Sequence, residues 1–310
     1  MRATVGSIVG GTFGLVRAHL ATIAIWAVLY CAVMLAIGAI TSLLLVGSVQ
    51  FGNPAAMAPM MRPAYMPGLF LLTMLLQLLV AAVMVNAVFR AVLRPEERGF
   101  AFLRVGIDEL RMAGLILAVA IVAIIGMILA ELITLFLVAL LGFVVGNGDA
   151  AGVIAVLLFL ALIGGAIWVE VRLSLIFPLT FYRRRFAVDA GWELGRGRFW
   201  LLFGAYLSVA LILFLVFGLY VWAIVGDYMV TTWSVRGNAE QMQAAALAFQ
   251  QQQAAMGIGV RLLMMATGAV LSAVGLALGP GVVAVAVREL LAERSDRPPS
   301  EPEPQSADAS

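Results

Sequence analysis

The chain contains no lysine, a single histidine (His19), a single cysteine (Cys31) and few charged residues of any kind. One histidine and one cysteine cannot form a zinc site, a haem site built from histidines or an intrachain disulfide, so we expect no metal and no cofactor. Charged residues make up only 12% of the 310 residues, against about 25% in an average soluble domain. This composition excludes a disordered protein and a nucleic-acid-binding protein.

Apolar residues take the place of the missing charges and make up 64% of the chain. A soluble domain is about 45–50% apolar, so this excess is too large for a soluble globular enzyme to bury. A membrane-spanning helix needs about 20 apolar residues, and six stretches are long enough. The runs are continuous rather than alternating, which excludes a membrane β-barrel. The sequence predicts an all-α, polytopic membrane helix bundle with spans at 20–49, 68–93, 112–145, 151–181, 199–226 and 257–287.

The arginines predict how the chain is threaded. Sixteen of the 19 lie in the N-terminal segment, the second-to-third and fourth-to-fifth connections and the C-terminal segment, whereas three (Arg62, Arg236 and Arg261) lie in the other connections. The positive-inside rule therefore predicts a multi-pass membrane protein with both termini in the cytoplasm. Residues 1–291 form the predicted membrane domain. Residues 292–310, rich in Pro, Ser and Glu, form a predicted disordered cytoplasmic tail.

Each pair of spans is preceded by a short segment of mixed character, at 5–16, 100–111 and 186–199. Such segments suit helices that lie in the cytoplasmic headgroup layer with arginines toward lipid phosphates, although ordinary cytoplasmic loops are the alternative. Their recurrence suggests three helix-hairpin repeats, each preceded by an interfacial helix. The expected partners are the bilayer, its anionic headgroups, and other membrane proteins or a second copy. The arginines expected at lipid phosphates are Arg94, Arg104, Arg111, Arg183, Arg184, Arg185, Arg196 and Arg198.

Four polar residues within the spans form a candidate intramembrane site: Glu131, Glu170, Arg172 and Asn86. Such residues are costly in lipid and are functional candidates by default. From the helical rise we expect Glu131 near the outer face, where a plain interfacial position is the alternative, and Glu170 with Arg172 in the inner half. Residues two apart on a helix do not pair, so Arg172 should meet an acid on another helix or extend toward the cytoplasm. Pro178 should weaken the helix that follows Arg172.

Two further patterns concern the last span. Small residues recur along it at helical spacing and predict close helix packing. The preceding connection, at 238–253, is rich in alanine and glutamine and predicts a helix on the outer side. The residues of the small stripe are Gly268, Ser272, Gly275 and Gly279.

One region resembles a known group of proteins. The stretch RLSLIFP at 172–178 is followed by three arginines at 183–185 and by AGWELGRGRFW at 190–200. This resembles a family of uncharacterised six-span bacterial integral membrane proteins, similar to YciC-type proteins and to the membrane domain found beside some glycerophosphodiester phosphodiesterases. The resemblance implies a six-span fold in the inner membrane and lends no catalytic residues.

The expected function is structural, scaffolding or membrane-organising, without catalytic machinery. Hydrolytic chemistry needs a base near a nucleophile or a metal, and the single imidazole of His19 lies where the first span enters the interface, so we expect no enzyme. The alternative is a transporter or lipid-handling protein with a polar site around Glu170 and Arg172.

Overall fold

The computed structural model describes residues 3–46, 66–97, 99–145 and 148–296, and these form helices and no strand. Six of the described helices are long and apolar enough to cross a membrane, which confirms the predicted all-α bundle. A short 3-10 turn, Phe100–Phe102, precedes the fourth helix. The helices are α1 (Val5–Ala18), α2 (Leu20–Val46), α3 (Met66–Leu93), α4 (Ile107–Val145), α5 (Gly148–Leu173), α6 (Ile176–Arg183), α7 (Val188–Leu194), α8 (Phe199–Ser234), α9 (Ala239–Ala255) and α10 (Ile258–Ser295).

The predicted fourth span is broken at its end, between α5 and α6. The break falls at Ser174 and Leu175, and Pro178 lies in the first turn of α6. Proline has no N–H to bond the carbonyl four residues earlier, and its ring crowds that carbonyl, so the helix cannot run straight through Ser174. The expectation that Pro178 weakens this helix is confirmed.

Several helices extend beyond the predicted ends. Helix α8 continues to Ser234, past the predicted end at 226, and α4 begins at Ile107 rather than at 112. The predicted outer helix is α9, which packs against α8 through the stacked rings of Tyr228 and Phe249. Helix α10 ends at Ser295, so residues 292–295 are helical rather than part of a disordered tail. Asp296 follows as a turn, and the remaining part of that predicted tail, 297–310, lies outside the described residues.

Helix α10 lies at the centre of the bundle and contacts α1, α2, α3, α6 and α8. Its alanines Ala273, Ala277 and Ala284 are fully buried, because small side chains let neighbouring helices approach closely. The buried core is concentrated at the end of the bundle where α1, α6, α7 and the C-terminus of α10 meet. We call this the arginine-rich end. Other buried core residues near this end are Ile8, Phe89, Met112, Leu179, Leu202, Val285 and Leu290.

The hairpin of α4 and α5 is exposed over most of its length away from the arginine-rich end. Side chains on every face of α4 between Ile121 and Phe136 are exposed, and so are most of those between Val156 and Val169 on α5. A helix that is apolar on all faces is stable only when buried in protein or in hydrocarbon. The hairpin therefore presents a surface suited to lipid, and its firmest attachment to the bundle is at the arginine-rich end.

The three segments expected to be interfacial helices take different forms. The first is α1, which packs between α8 and α10 with Ile8 and Thr12 fully buried. The third is the short helix α7. The second consists of the turn Phe100–Phe102 and the first residues of α4, which begins at Ile107. At the turn the backbone packs into the bundle: Ala101 and Phe102 have positive φ, and the Trp26 indole donates to the Ala101 carbonyl.

Candidate functional site

A buried ion pair joins the end of α3 to the first turn of α4. Nη2 of Arg90 lies 2.6 Å from Oε1 of Glu109, and both side chains are at most 3% exposed. Arg90 also donates to the carbonyl of Phe102, which fixes the connection between the two helices. The position of Glu109 in the first turn of α4 places its negative charge near the positive end of the helix dipole, which stabilises it there.

A second carboxylate, that of Glu97, contacts three guanidinium groups. Its oxygens lie 2.8 Å from Nη2 of Arg184, 3.2 Å from Nη1 of Arg94 and 3.6 Å from Nε of Arg90. Together with Glu109 these residues form what we call the arginine cluster: Arg90, Arg94, Arg184, Glu97 and Glu109. Three positive and two negative groups leave it with a net positive charge. It ties α3 and the first turn of α4 to the C-terminal end of α6.

Arg94 connects the arginine cluster to α6 through backbone groups. Its Nη2 donates to the carbonyls of Phe181 and Tyr182, at 3.1 and 2.6 Å. These carbonyls belong to the last turn of α6, where the regular helical N–H partners end, although the Phe181 carbonyl also accepts from the N–H of Arg184. The Phe181 ring also lies under the guanidinium groups of Arg94 and Arg90, at 5.0 and 5.5 Å from its centroid. Arg94 therefore caps α6.

A second ion pair at the arginine-rich end joins α8 to α10. The two Nη atoms of Arg198 lie 2.6 and 3.0 Å from the two carboxylate oxygens of Glu293. The backbone N–H of Ala3 donates to the same carboxylate, and the Ser7 hydroxyl donates to Glu289 one turn earlier on α10. These contacts hold the start of α1 against the last turns of α10, and they account for the helix running on to Ser295.

Arg172 lies between two indole rings instead of beside a carboxylate. Its Cζ is 4.1 Å from the ring centroid of Trp192 and 5.1 Å from that of Trp168. Its Nε is buried without a hydrogen-bond partner. Within the described part of the chain the guanidinium makes no ion pair, so the expected acid on a neighbouring helix is not found there.

The close packing of α7 against the α5–α6 break positions Trp192. A Cβ added to Gly191 would lie 2.7 Å from Cγ1 and 2.9 Å from Cα of Ile176. Only glycine permits this approach, because the second of these atoms belongs to the backbone and cannot move aside. Gly191 therefore brings the next residue, Trp192, against Arg172.

The four residues of the candidate intramembrane site are not joined to one another. Asn86 on α3 is fully buried, and neither atom of its amide has a hydrogen-bond partner. Glu131 on α4 and Glu170 on α5 are exposed. In the residues that the structure describes, no hydrogen bond or ion pair links any two of Asn86, Glu131, Glu170 and Arg172.

The arginines expected at lipid phosphates divide into two sets. Arg94, Arg184 and Arg198 are engaged in the contacts described above, and Arg111 lies 2.7 Å from Asp108, one turn away on α4. The others are exposed and make no ion pair within the ranges that the structure covers. These exposed arginines are Arg104, Arg183, Arg185 and Arg196.

The stripe of small residues on α10 packs mainly against α8. A Cβ on Gly268 would lie 2.7 Å from the Tyr220 hydroxyl, and one on Gly275 would lie 3.2 Å from the Phe217 ring. The Tyr220 hydroxyl donates to the carbonyl of Met264. Gly279 has open space around its Cα and Ser272 is half-buried, so only part of the stripe makes a close contact.

Arg90, Glu97 and Glu109 were not among the site residues expected from the sequence. The only indication of them in the sequence is that Glu97 and Glu109 lie among the arginines of the second-to-third connection.

No protein-family model, no curated protein and no solved structure matches the chain. The described residues include no group of three or more His, Cys, Asp or Glu side chains able to hold a metal ion. The functional interpretation of this protein therefore rests on the geometry of the arginine-rich end.

Proposed function

We propose that this protein is a structural, membrane-organising component of the bacterial inner membrane, with both termini in the cytoplasm. The observation that carries the proposal is the arginine cluster. Its charged groups hold α3, α4 and α6 together, because each guanidinium and each carboxylate contacts an oppositely charged side chain or a backbone carbonyl. Paired charges of this kind, buried at Arg90 and Glu109 and partly exposed at Glu97 and Arg184, specify which helices meet, a role that suits a scaffold.

The exposed arginines at the same end of the bundle support the proposed orientation. Arg104, Arg183, Arg185 and Arg196 are free to face lipid headgroups. Anionic lipids give the cytoplasmic leaflet a negative surface potential that attracts arginines close to the membrane. The resemblance to six-span bacterial inner-membrane proteins agrees with this placement and is itself part of the proposal.

Reporter fusions in a bacterial host test the orientation. A fluorescent reporter that matures only in the cytoplasm, fused after Ser310, should be active. The same reporter inserted at Gly237, between α8 and α9, should be inactive. An alkaline phosphatase reporter, which is active only after export, should give the reverse pattern at both sites. Export of the C-terminal fusion would contradict the proposed threading.

The alternative, a lipid-handling protein or transporter, is favoured by one observation. The guanidinium of Arg172 has no acceptor in the described chain, and a polar group left unpaired at membrane depth is a candidate ligand site. Proteoliposomes containing fluorescent phosphatidylglycerol separate the two functions. A structural protein should leave the movement of this lipid between leaflets as slow as in protein-free liposomes. Accelerated movement that is lost in Arg172→Gln would overturn the structural role and support the alternative.

A further inference from the structure

The guanidinium of Arg172 has five N–H donors and no acceptor. The described part of the chain supplies no acceptor to any of them. Nε is buried, whereas Arg172 as a whole is partly exposed. An unpaired, partly desolvated charge costs free energy. This cost indicates that an acceptor from outside the chain completes the site.

The indoles of Trp168 and Trp192 hold this guanidinium in place without satisfying its hydrogen bonds. Their centroids are 5.9 Å apart, with the ring planes at 84°. The Arg172 Cζ lies over the Trp192 ring, and such cation–π contact uses the face of the guanidinium while leaving its N–H edge free. The N–H edge of the guanidinium is therefore ordered before an acceptor binds. Binding then does not incur the entropy cost of ordering this long side chain.

The neighbouring carboxylates do not supply the missing acceptor. Glu170 lies two residues before Arg172 on α5 and so points to another side of the helix. Glu193 follows Trp192 on α7. Both are exposed, and neither makes an ion pair within the described ranges. Arg172 is thus held by aromatic rings, while Glu170 on its own helix and Glu193 next to Trp192 make no ion pair with it.

The position of the site indicates the chemistry of the acceptor. Arg172 lies in the last turn of α5, two residues after Glu170 and toward the arginine-rich end of the long apolar span Gly152–Arg183. Tryptophan side chains favour the level of the lipid headgroups, where their rings are apolar and their N–H groups meet water. The acceptor available at this depth is the phosphate group of a lipid, whose oxygens match the two Nη groups of arginine.

We propose that Arg172, Trp168 and Trp192 form a binding site for the phosphate group of an anionic lipid in the leaflet at the arginine-rich end. The lipid phosphate accepts hydrogen bonds from the Nη groups of Arg172, and the two indoles keep the guanidinium in position. The site rests on the proposed membrane placement and is independent of the structural role. It requires neither the movement of lipid between leaflets nor a particular orientation of the chain.

Native mass spectrometry of the full chain in a non-ionic detergent tests this site. Phosphatidylglycerol is titrated into the wild-type protein and into Arg172→Gln. The matched control is Arg196→Gln, which removes the same charge from an exposed arginine near the start of α8. We expect the apparent affinity of the tightest lipid to fall about tenfold or more in Arg172→Gln, as when a charge-assisted contact is lost, and to change little in the control.

Two further variants keep the test valid if Arg172→Gln does not fold. Arg172→Lys keeps the positive charge but loses the paired N–H donors of the guanidinium. Trp192→Leu removes one of the two indole rings and leaves the arginine in place. Both variants should bind the lipid more weakly than the wild type. Competition with phosphatidylcholine and with inorganic phosphate distinguishes the sources of phosphate, and neither should displace phosphatidylglycerol.

Three results would overturn the proposal: an equal loss of affinity in Arg172→Gln and Arg196→Gln, displacement by millimolar inorganic phosphate, or equally tight retention of phosphatidylcholine. The first would mean general charge attraction, the second a free-phosphate site, and the third a site without preference for anionic lipid. An exported C-terminal reporter, by contrast, would contradict the proposed orientation and leave these binding results unchanged. The two proposals can therefore fail separately.

Discussion

Arg90 and Glu109 lie 2.6 Å apart where α3 meets α4, and both side chains are almost completely buried. This pair belongs to the arginine cluster, which attaches the largely exposed α4–α5 hairpin to the rest of the bundle. A buried ion pair is not by itself a source of great stability, but removing one partner leaves an uncompensated charge. Its main effect is therefore on which helices meet.

We expect Glu109→Gln to destabilise the protein by about 3 kcal/mol, because the buried guanidinium of Arg90 loses its nearest carboxylate and keeps only that of Glu97, at 3.6 Å. The adjacent variant Asp108→Asn removes the same charge from the half-exposed pair with Arg111 and should cost less than about 1 kcal/mol. Thermal unfolding in detergent compares the two. Equal melting temperatures for both variants would show that the buried pair has no special role.

Gly11→Ala should loosen α1 from α10. A Cβ at this position would lie 2.9 Å from Cγ1 of Val285, too close for a well-packed contact, so the helices must separate. The preceding residue offers a control, because Gly10 has open space around it and alanine there should stabilise the helix by up to about 1 kcal/mol. Opposite shifts in melting temperature are the expected result, and a stabilised Gly11→Ala would contradict this account of α1.

Gly191→Ala should displace α7 from the α5–α6 break and move Trp192 away from Arg172. The reason is the 2.9 Å approach to the backbone of Ile176. Tryptophan fluorescence should change in this variant, and the change should be absent when Trp192 is already replaced by phenylalanine. Gly165→Ala on α5, where no atom lies nearby, is the control and should leave the emission unchanged. A fluorescence change that persists without Trp192 would contradict the proposed displacement.

Gly268→Ala should disturb the contact between α8 and α10, because its Cβ would meet the Tyr220 hydroxyl at 2.7 Å. Overpacking of this kind costs about 1–3 kcal/mol. Tyr220→Phe removes the clashing oxygen, so the double variant should be less sensitive to alanine at position 268 than the wild type is. The control is Gly279→Ala, at the other end of the same stripe, where a methyl group has room. If Gly279→Ala proves the more damaging substitution, this assignment of the stripe is wrong.

Properties that depend on residues close together in the chain could be predicted from the sequence. The six long helices follow from continuous apolar runs, and the interruption after Arg172 follows from Pro178. The helix α9 follows from its alanine and glutamine content. In each case the cause lies within a few residues of its effect, so the linear sequence contains the relevant information.

The partners of the arginines were decided by tertiary structure. Arg94, expected at lipid phosphates, caps the end of α6. Arg172, expected to meet an acid or to extend toward the cytoplasm, lies against Trp192 because Gly191 lets α7 approach. The sequence alone determined that the chain forms six long apolar helices and which connections hold its positive charge, because hydrophobicity and charge add along the chain. Which guanidinium meets which group depends on how separate helices pack, and that depends on shape at contacts distant in sequence.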